Sequence, residues 1–372
     1  MAEILLTIFF ISVLLFFLGS GIWVAVSMIG VSAIGMMLFT SRPVGDAMAT
    51  TIWGTSSSWT LTALPLFVWM GEILFRTKLS ENLFKGLSPW MQKLPGGLIH
   101  VNVVGCALFA AISGSSAATV ATVGKMSIPE LRKRNYPEKI LLGSLAGSGT
   151  LGLLIPPSII LIIYGVAVQE SIAKLFIAGI IPGIMIALIF MSYVIIWSLI
   201  NKKDMPKILE EYSFFEKVKR SKQLLPVILL ILGVIGSIYT GIATATEAAS
   251  LGVVGALILS YFQKSLTLET FKSSLLGATK TSCMIAFILA GSTFLSLAMG
   301  FTGLPRNLAI WIQNMDLSPY VLIFVLMIFY IILGMFLDGI SAVVLTMAII
   351  EPMIRQAGFD MIWFGIFLVI VV

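Results

Sequence analysis

Charged side chains are what this sequence has least of. Only 11% of its 372 residues are Asp, Glu, Lys or Arg, against 59% hydrophobic, and the mean hydropathy is +1.07. That balance excludes a soluble globular domain and identifies a polytopic membrane protein. Histidine occurs once, as His100, and cysteine twice, as Cys106 and Cys283, both inside apolar runs. Two such cysteines suggest neither a disulfide framework nor a metal site, and they read as packing residues. The nearest thing to a P-loop, Thr122-Val123-Gly124-Lys125-Met126, lacks the upstream glycine and the Ser/Thr after the lysine. With no soluble domain to hold a nucleotide either, an ATP-driven pump is excluded. A Ser–His hydrolytic pair is excluded as well. His100 stands 13 residues before Ser113, about 20 Å along a helix, and reads as an interfacial residue. The chain is not read as an enzyme.

What is present in quantity is long uncharged sequence. Runs free of Asp, Glu, Lys and Arg cover 4–41, 47–71, 94–124, 140–169, 175–201, 223–246, 248–263, 281–305 and 317–337. The first is interrupted by Leu18-Gly19-Ser20-Gly21 and counts as two spans. Met1–Ile4 carry an acid and no base, which is not the start of a cleavable signal peptide. With the N-terminus outside, loops 76–96, 125–139, 201–223 and 262–280 share one face and hold 19 of the 23 Lys and Arg residues. By the positive-inside rule that face is cytoplasmic. The net charge of +6 and the basic runs 132–134 and 217–220 follow from this topology and need no nucleic acid. Glu72 falls near the inner face as a solvated or packing residue, and Glu247 at the outer end of a span as a helix-start residue.

Two cytoplasmic loops flank residues 97–124, so that segment enters and leaves by the same face. About eight residues follow its polar knot Ser113-Gly114-Ser115-Ser116 before Gly124-Lys125, far short of the ~20 that a crossing needs. It is a re-entrant hairpin with its tip near the membrane middle, a place where irregular backbone is tolerated only if buried in protein or lining a cavity. An internal repeat supports this. At an offset of 225, "TKLSENL" (77–83) matches "TGLPRNL" (302–308) and "SGSSA" (113–117) matches "DGISA" (338–342). Asp338 thereby takes the place of Ser113, and an offset of 223 is needed beyond the second hairpin, pairing Pro129 with Pro352. Five crossings plus a hairpin invert the second copy, and the loop charges agree, which is the pattern of secondary transporters. The expected fold is therefore all-α and polytopic, with two inverted repeats. The first is 1–200, with hairpin 97–124 and broken span 139–168. A basic linker occupies 201–223. The second repeat is 224–372, with hairpin 319–350. The chain ends in "IFLVIVV" before a second broken span, and a complete version is expected to run roughly 50 residues further.

The broken span carries the chemistry. In "SLAGSGTLGLLIPPSIILIIYG" (144–165), Pro156 and Pro157 cannot donate to the carbonyls of Gly152 and Leu153. Residues 147–155 are therefore expected to unwind, with the hydroxyls of Ser148, Thr150 and Ser158 nearby. A few neutral oxygens suit a hard monovalent cation such as Na+ and are too weakly charged for a tight divalent site. The hairpin tip, Ser113 to Ser116, supplies further ligands, and its half-helix ends can favour an anionic group. Gly152, Pro156, Pro157 and Ser158 form the helix-breaking cavity wall. Asp338, a carboxylate at the membrane centre, is a functional residue with a cation as partner. Close packing of small residues is the competing explanation of these motifs. An ion channel, or a non-transporting scaffold subunit of a larger complex, is the competing functional class.

At "LPLFVWMGEILFRTKLSENLF" (64–84), "SGSSAATVATVGKMSIPELRKRNYP" (113–137), "AGSGTLGLLIPPSIILIIYG" (146–165), "GIATATEAASLGVVGALIL" (241–259) and "GMFLDGISAVVLTMAIIEPMI" (334–354), the chain resembles the large membrane subunit of tripartite ATP-independent periplasmic (TRAP) transporters. The resemblance implies an elevator-type, Na+-coupled permease in a bacterial inner membrane with a periplasmic N-terminus. It implies as partners a small membrane subunit, a periplasmic substrate-binding protein, lipid and an organic-acid substrate, with no organic cofactor. Carried onto matching positions, one Na+ site comprises Ser113, Gly114, Ser115 and Ser116 with Gly147, Ser148, Gly149 and Thr150. A second includes Asp338, Gly339 and Ser341. Segment 76–96 becomes an amphipathic arm along the membrane, through Leu79, Leu83, Phe84, Leu87 and Trp90.

Overall fold

The computed structural model describes residues 2–76, 79–206, 212–222, 224–303, 318–335 and 337–372, and among them all long regular elements are α-helices. The first half contains α1 (Ala2–Gly19), α2 (Val24–Phe39), α3 (Val44–Ser56), α4 (Ala63–Phe75), α5 (Leu79–Met91), α6 (His100–Ser113), α7 (Ser116–Lys133) and α8 (Glu138–Gly149). A single turn, α9 (Leu151–Leu154), precedes α10 (Ile159–Ala167) and the long α11 (Ile172–Ile200). Then come α12 (Phe214–Ser221), α13 (Leu225–Tyr239), α14 (Ala245–Phe262) and α15 (Leu268–Thr302). The last three are α16 (Pro319–Gly334), α17 (Gly339–Gln356) and α18 (Met361–Val371). Four of these, α11, α14, α15 and α17, are long and apolar enough to cross a membrane, and the number reaches seven if three bent pairs each count as one span. The repeat segment 302–308 lies largely outside the described residues.

The chain forms two compact units: Met1–Thr62 with Ile162–Leu175 and Thr281–Val372, and Ala63–Leu161 with Phe176–Lys280. Each draws on both halves of the sequence, so the units and the expected repeats partition the chain differently.

In the first unit, the expected break after Leu18 is real: Gly21 sits at φ +77°, a conformation cheap only for glycine, and the chain turns into α2. Helix α2 lies so close to α15 that a Cβ on Gly291 would stand 2.8 Å from the Ala25 carbonyl oxygen. Met36, Phe294 and Ala298 close this seam. At the other end of the sequence, the Tyr330 hydroxyl meets Thr346 Oγ1 at 2.7 Å and joins α16 to α17. Tyr164 donates to the Met361 carbonyl at 2.6 Å, and the Arg355 guanidinium bonds Glu351 at 2.9 Å and the Val168 carbonyl at 3.0 Å. The run 47–71, expected as one crossing, is broken after α3 by a 3-10 turn at Trp59–Thr62. The physical reason is hydroxyl density: seven of the residues 50–60 are Ser or Thr, which offer the backbone competing local bonds.

In the second unit, α6 is the central helix, with α4, α5, α7, α8 and α9 packed around it. The arm α5 is amphipathic as expected and buries Leu83, Phe84 and Leu87. Its Trp90 donates to Ser221 Oγ of α12 at 2.7 Å, and the Lys217 ammonium stands 5.5 Å from the same ring. Residues 77 and 78 of the arm lie outside the described residues. Glu72 pairs with Arg76 at 2.7 Å, and Arg76 also donates to the Ser273 carbonyl at 3.2 Å, pinning α4 to the start of α15. Glu247 starts a helix: it closes a capping box with Thr244, whose backbone N–H it accepts at 2.8 Å. His100 is fully buried within the protein, with Nε2 2.8 Å from the Pro95 carbonyl oxygen.

Gly291→Ala should lower stability by about 1–3 kcal/mol, because the Ala25 backbone cannot move aside for a methyl group. Gly233→Ala, which meets nothing within 4 Å, should be neutral or slightly stabilising. Thermal unfolding of the two variants in detergent checks this.

Candidate functional site

Helix α6 ends at the polar knot. Gly114 takes φ 58°, ψ 12°, and Ser115 is extended and caps α7, with Oγ accepting from the Ala118 N–H at 3.5 Å. Two residues thus reverse the chain, and α6 and α7 pack on each other, as a hairpin requires. Its second arm is longer than expected, running on through Lys125 to Lys133, since Lys, Glu and Arg are good helix formers. Behind the tip, Ser113 Oγ meets Thr119 Oγ1 at 2.9 Å and Thr119 Oγ1 donates to the Ser115 carbonyl at 2.7 Å. Thr119 is fully buried. Sequence reasoning missed it, although a threonine four residues after a cap is placed to bond back to the cap carbonyl.

The broken span breaks later than expected. Residues 147–155 do not unwind as a whole: α8 continues through Gly149, Thr150 bridges to α9, and the interruption is Ile155-Pro156-Pro157-Ser158. The peptide between Pro156 and Pro157 is cis. Glycine weakens a helix by about 1 kcal/mol, but proline removes the donor outright, so the prolines decide the position. Ser158 Oγ donates to the Leu153 carbonyl that Pro157 leaves without a partner, and it also caps α10 by accepting from the Leu161 N–H at 3.4 Å. The Gly152 carbonyl loses its helical donor at Pro156.

The glycines serve another purpose, which is close approach. A Cβ on Gly152 would lie 2.8 Å from the Ser115 carbonyl carbon and oxygen and 2.9 Å from Thr119 Oγ1. On Gly149 it would overlap Val120, and on Gly114 it would lie 2.8 Å from the Pro157 carbonyl oxygen. The Ile159 N–H points at the Gly114 carbonyl at 3.4 Å. The hairpin tip and the proline break are therefore docked directly on one another. Not all of the expected residues join them. Ser148 Oγ donates to the Ser144 carbonyl at 2.6 Å and reaches the Asn102 carbonyl at 3.4 Å, so it belongs to the α6–α8 packing. Thr150 is exposed and bonds the Gly147 carbonyl at 2.8 Å, and Gly147 itself faces the Phe190 ring.

Within the other unit, Asp338 is an exposed N-cap of α17, its Oδ2 accepting from the Ser341 N–H at 3.3 Å. It forms no salt bridge among the described residues. Gly339 opens α17 and Ser341 is buried; Phe336, before the cap, lies outside the described residues. Helices α7 and α17 each have 18 residues, an N-cap side chain bonded to the third N–H, a proline at the fourteenth position (Pro129, Pro352) and four residues before the next helix. By these helix landmarks Asp338 stands where Ser115 does, an offset of 223, whereas the short identities pair it with Ser113. Among the described residues, no three His, Cys, Asp or Glu side chains group as a metal site.

The sequence matches the model of the family described as "Tripartite ATP-independent periplasmic transporter, DctM component" over residues 10–372. The chain belongs to this family. Among DctM-family relatives, the C4-dicarboxylate TRAP transporter large permease protein DctM of Pseudomonas aeruginosa is 32% identical, over 91% of this chain and 78% of its own length. The sialic acid TRAP transporter large permease protein SiaM of Vibrio cholerae is 31% identical over 93% of this chain and 81% of its own. The isethionate TRAP transporter permease protein DctMQ of Oleidesulfovibrio alaskensis is 29% identical over 95% of this chain and 55% of its own length. The resemblance read from the motifs is thus membership of the family. This chain is a multi-pass membrane permease of the DctM type and not an enzyme.

In this DctM-type permease the docked tip has a sharp test. Gly114→Ala forces a side chain into a left-handed conformation, at ~1–2 kcal/mol, and into the Pro157 carbonyl. Gly152→Ala drives a methyl group into the Ser115 backbone. Both should lower the unfolding midpoint by several degrees, whereas Gly143→Ala in the same span, with nothing within 4 Å, should leave it unchanged or raised.

Proposed function

We propose that this chain is the transmembrane permease subunit of a Na+-coupled secondary transporter that imports an organic acid. The observation that carries the reading is the docking of the hairpin tip on the proline break. It gathers neutral oxygens, Ser113 Oγ, Thr119 Oγ1 and the Ser115 carbonyl, against the backbone of Gly152, where two half-helices end. Such oxygens replace the hydration shell of a monovalent cation and hold a divalent one poorly. Of the residues expected from sequence, Ser113, Gly114, Ser115 and Ser116 stand at this junction; Gly149 and Gly152 let the span approach it. Asp338, Gly339 and Ser341 are assigned to a second ion site, in which the carboxylate adds charge where Ser115 has only a hydroxyl.

The organic-acid class rests on the relatives, whose printed names give C4-dicarboxylate, sialic acid and isethionate. A periplasmic binding protein is the proposed source of substrate, in keeping with the family description. A small membrane subunit is the proposed second component, in keeping with the fused relative whose name joins M and Q. The matched α7 and α17 units support two repeats, and the distribution of 19 of 23 basic residues on one set of loops supports an inverted arrangement with the N-terminus periplasmic. An elevator-type movement is the corresponding transport mode.

Reconstitution into proteoliposomes with the small subunit and the binding protein tests the coupling: uptake should follow an inward Na+ gradient, and uptake indifferent to Na+ overturns the reading. Asp338→Asn separates cap from ion ligand, because Asn caps a helix as well as Asp does while carrying no charge. It should cut Na+-driven uptake at least tenfold with little change in the unfolding midpoint; unchanged uptake assigns Asp338 to capping alone. Cysteine scanning of loops 125–139 and 201–223 should find them labelled only from the cytoplasmic side.

A further inference from the structure

Helix α12, in the second unit, has one side taken by α5. Trp90 of α5 donates to Ser221 at 2.7 Å, lies 5.5 Å from the Lys217 ammonium and meets the Phe214 ring edge-on at 6.1 Å. These three side chains follow one another at helical spacing and form a single stripe. Two further charged groups have local partners. Glu216 closes a capping box by accepting the Ser213 N–H at 3.0 Å. The Arg220 guanidinium lies 4.2 Å over the Tyr212 ring and donates to its hydroxyl at 3.1 Å.

What is left over is a second stripe, Phe215, Val218, Lys219 and Lys222, at spacing i, i+3, i+4, i+7. Phe215 is 77% exposed and Val218 39%, and both lysines are exposed. Neither lysine has a carboxylate partner among the described residues. The stripe therefore offers an apolar ring beside two uncompensated ammonium groups.

Its place in the chain fixes the solvent it meets. Helix α12 is bent by 59° from α13, the apolar helix that follows within the uncharged run 223–246. Eight residues of helix measure about 12 Å. With α13 upright in the bilayer, the start of α12 stands only about 6 Å farther from the hydrocarbon than its end. That is the depth of a headgroup layer, about 5–7 Å. There an acyl chain can cover Phe215 and Val218 while a phosphate meets Lys219 and Lys222. A zwitterionic headgroup brings its own cation to the lysines, and an anionic one does not.

We propose that the stripe Phe215, Val218, Lys219 and Lys222 is a binding site for an anionic phospholipid, which anchors α12 and the linker it belongs to at the membrane surface.

The test uses the purified full chain in neutral detergent, titrated separately with dioleoylphosphatidylglycerol and dioleoylphosphatidylcholine, with bound lipid counted by native mass spectrometry. Phosphatidylglycerol should half-saturate at a concentration at least fivefold below phosphatidylcholine. Lys219→Gln with Lys222→Gln should raise the phosphatidylglycerol value about 10- to 30-fold. Phe215→Gln alone should raise it several-fold. The unfolding midpoint should not move in either variant, because the stripe is exposed. Lys202→Gln with Lys203→Gln removes the same charge from exposed positions in the same loop and should change the value less than threefold. Equal binding of the two lipids, an unchanged value without Lys219 and Lys222, or an equal loss without Lys202 and Lys203 would each overturn the proposal. So would a Phe215→Cys, Cys283→Ser chain that reacts freely with a thiol reagent in phosphatidylglycerol nanodiscs and is shielded only when the small subunit is added. That result assigns the stripe to a protein partner. None of these measurements uses Na+ or uptake, so the permease reading stands or falls separately.

Discussion

The structure depends on one constraint. Inside the hydrocarbon layer no water replaces a lost backbone hydrogen bond, so each interruption of a helix must be satisfied by the chain itself. The break at Ile155–Ser158 and the break at Gly114-Ser115 meet that demand partly by facing one another. The Ile159 N–H turns to the Gly114 carbonyl, the Ser158 hydroxyl takes the Leu153 carbonyl, and the Thr119 hydroxyl takes that of Ser115. One of these bonds crosses between the two breaks, and the other two are made within each break by its own hydroxyl. Pro156 also removes the helical donor of the Gly152 carbonyl, which adds an acceptor to the set on which the proposed cation site rests.

Much of this was legible in the sequence because membrane insertion writes itself in composition. Uncharged runs, basic loops and the polar knot in 97–124 gave the helical class, the hairpin and the meeting of hairpin and broken span without any structure. The details that were misjudged share a cause. Sequence counts which residues weaken a helix, but not where a neighbour stands. The glycines at 147, 149 and 152 looked like helix breakers, yet the helix runs through Gly149, and Gly149 and Gly152 mark the approach of Val120 and Ser115. The burial of His100 was not legible from sequence either, because the Pro95 carbonyl that gives it a partner is set by the turn before α6.

Register is read differently by sequence and by structure. Identities at 113–117 and 338–342 favour an offset of 225, and the capped helices that follow align at 223. Three short identities carry less information than a cap, an 18-residue length and a proline at the same position. The hydroxyl-rich 50–60 stretch escaped notice for a different reason: it carries no charge, so a scan for charges passes over it as one more span. Its threonines are admitted to an apolar setting because their protons are taken by their own helix.

The tight fit of Gly152 against the Ser115 backbone makes tip and break a single body, in which neither can slide past the other. Under the proposed ion site and elevator movement, an ion held there would keep the same ligands at the same distances whichever side of the membrane the body faced. Its occupancy on the two sides would then differ through bulk concentration and membrane potential alone. The latter is worth about 2.3 kcal/mol per charge for each 100 mV, so an accumulation ratio would be set by thermodynamic driving forces outside the protein rather than by a change of affinity within it.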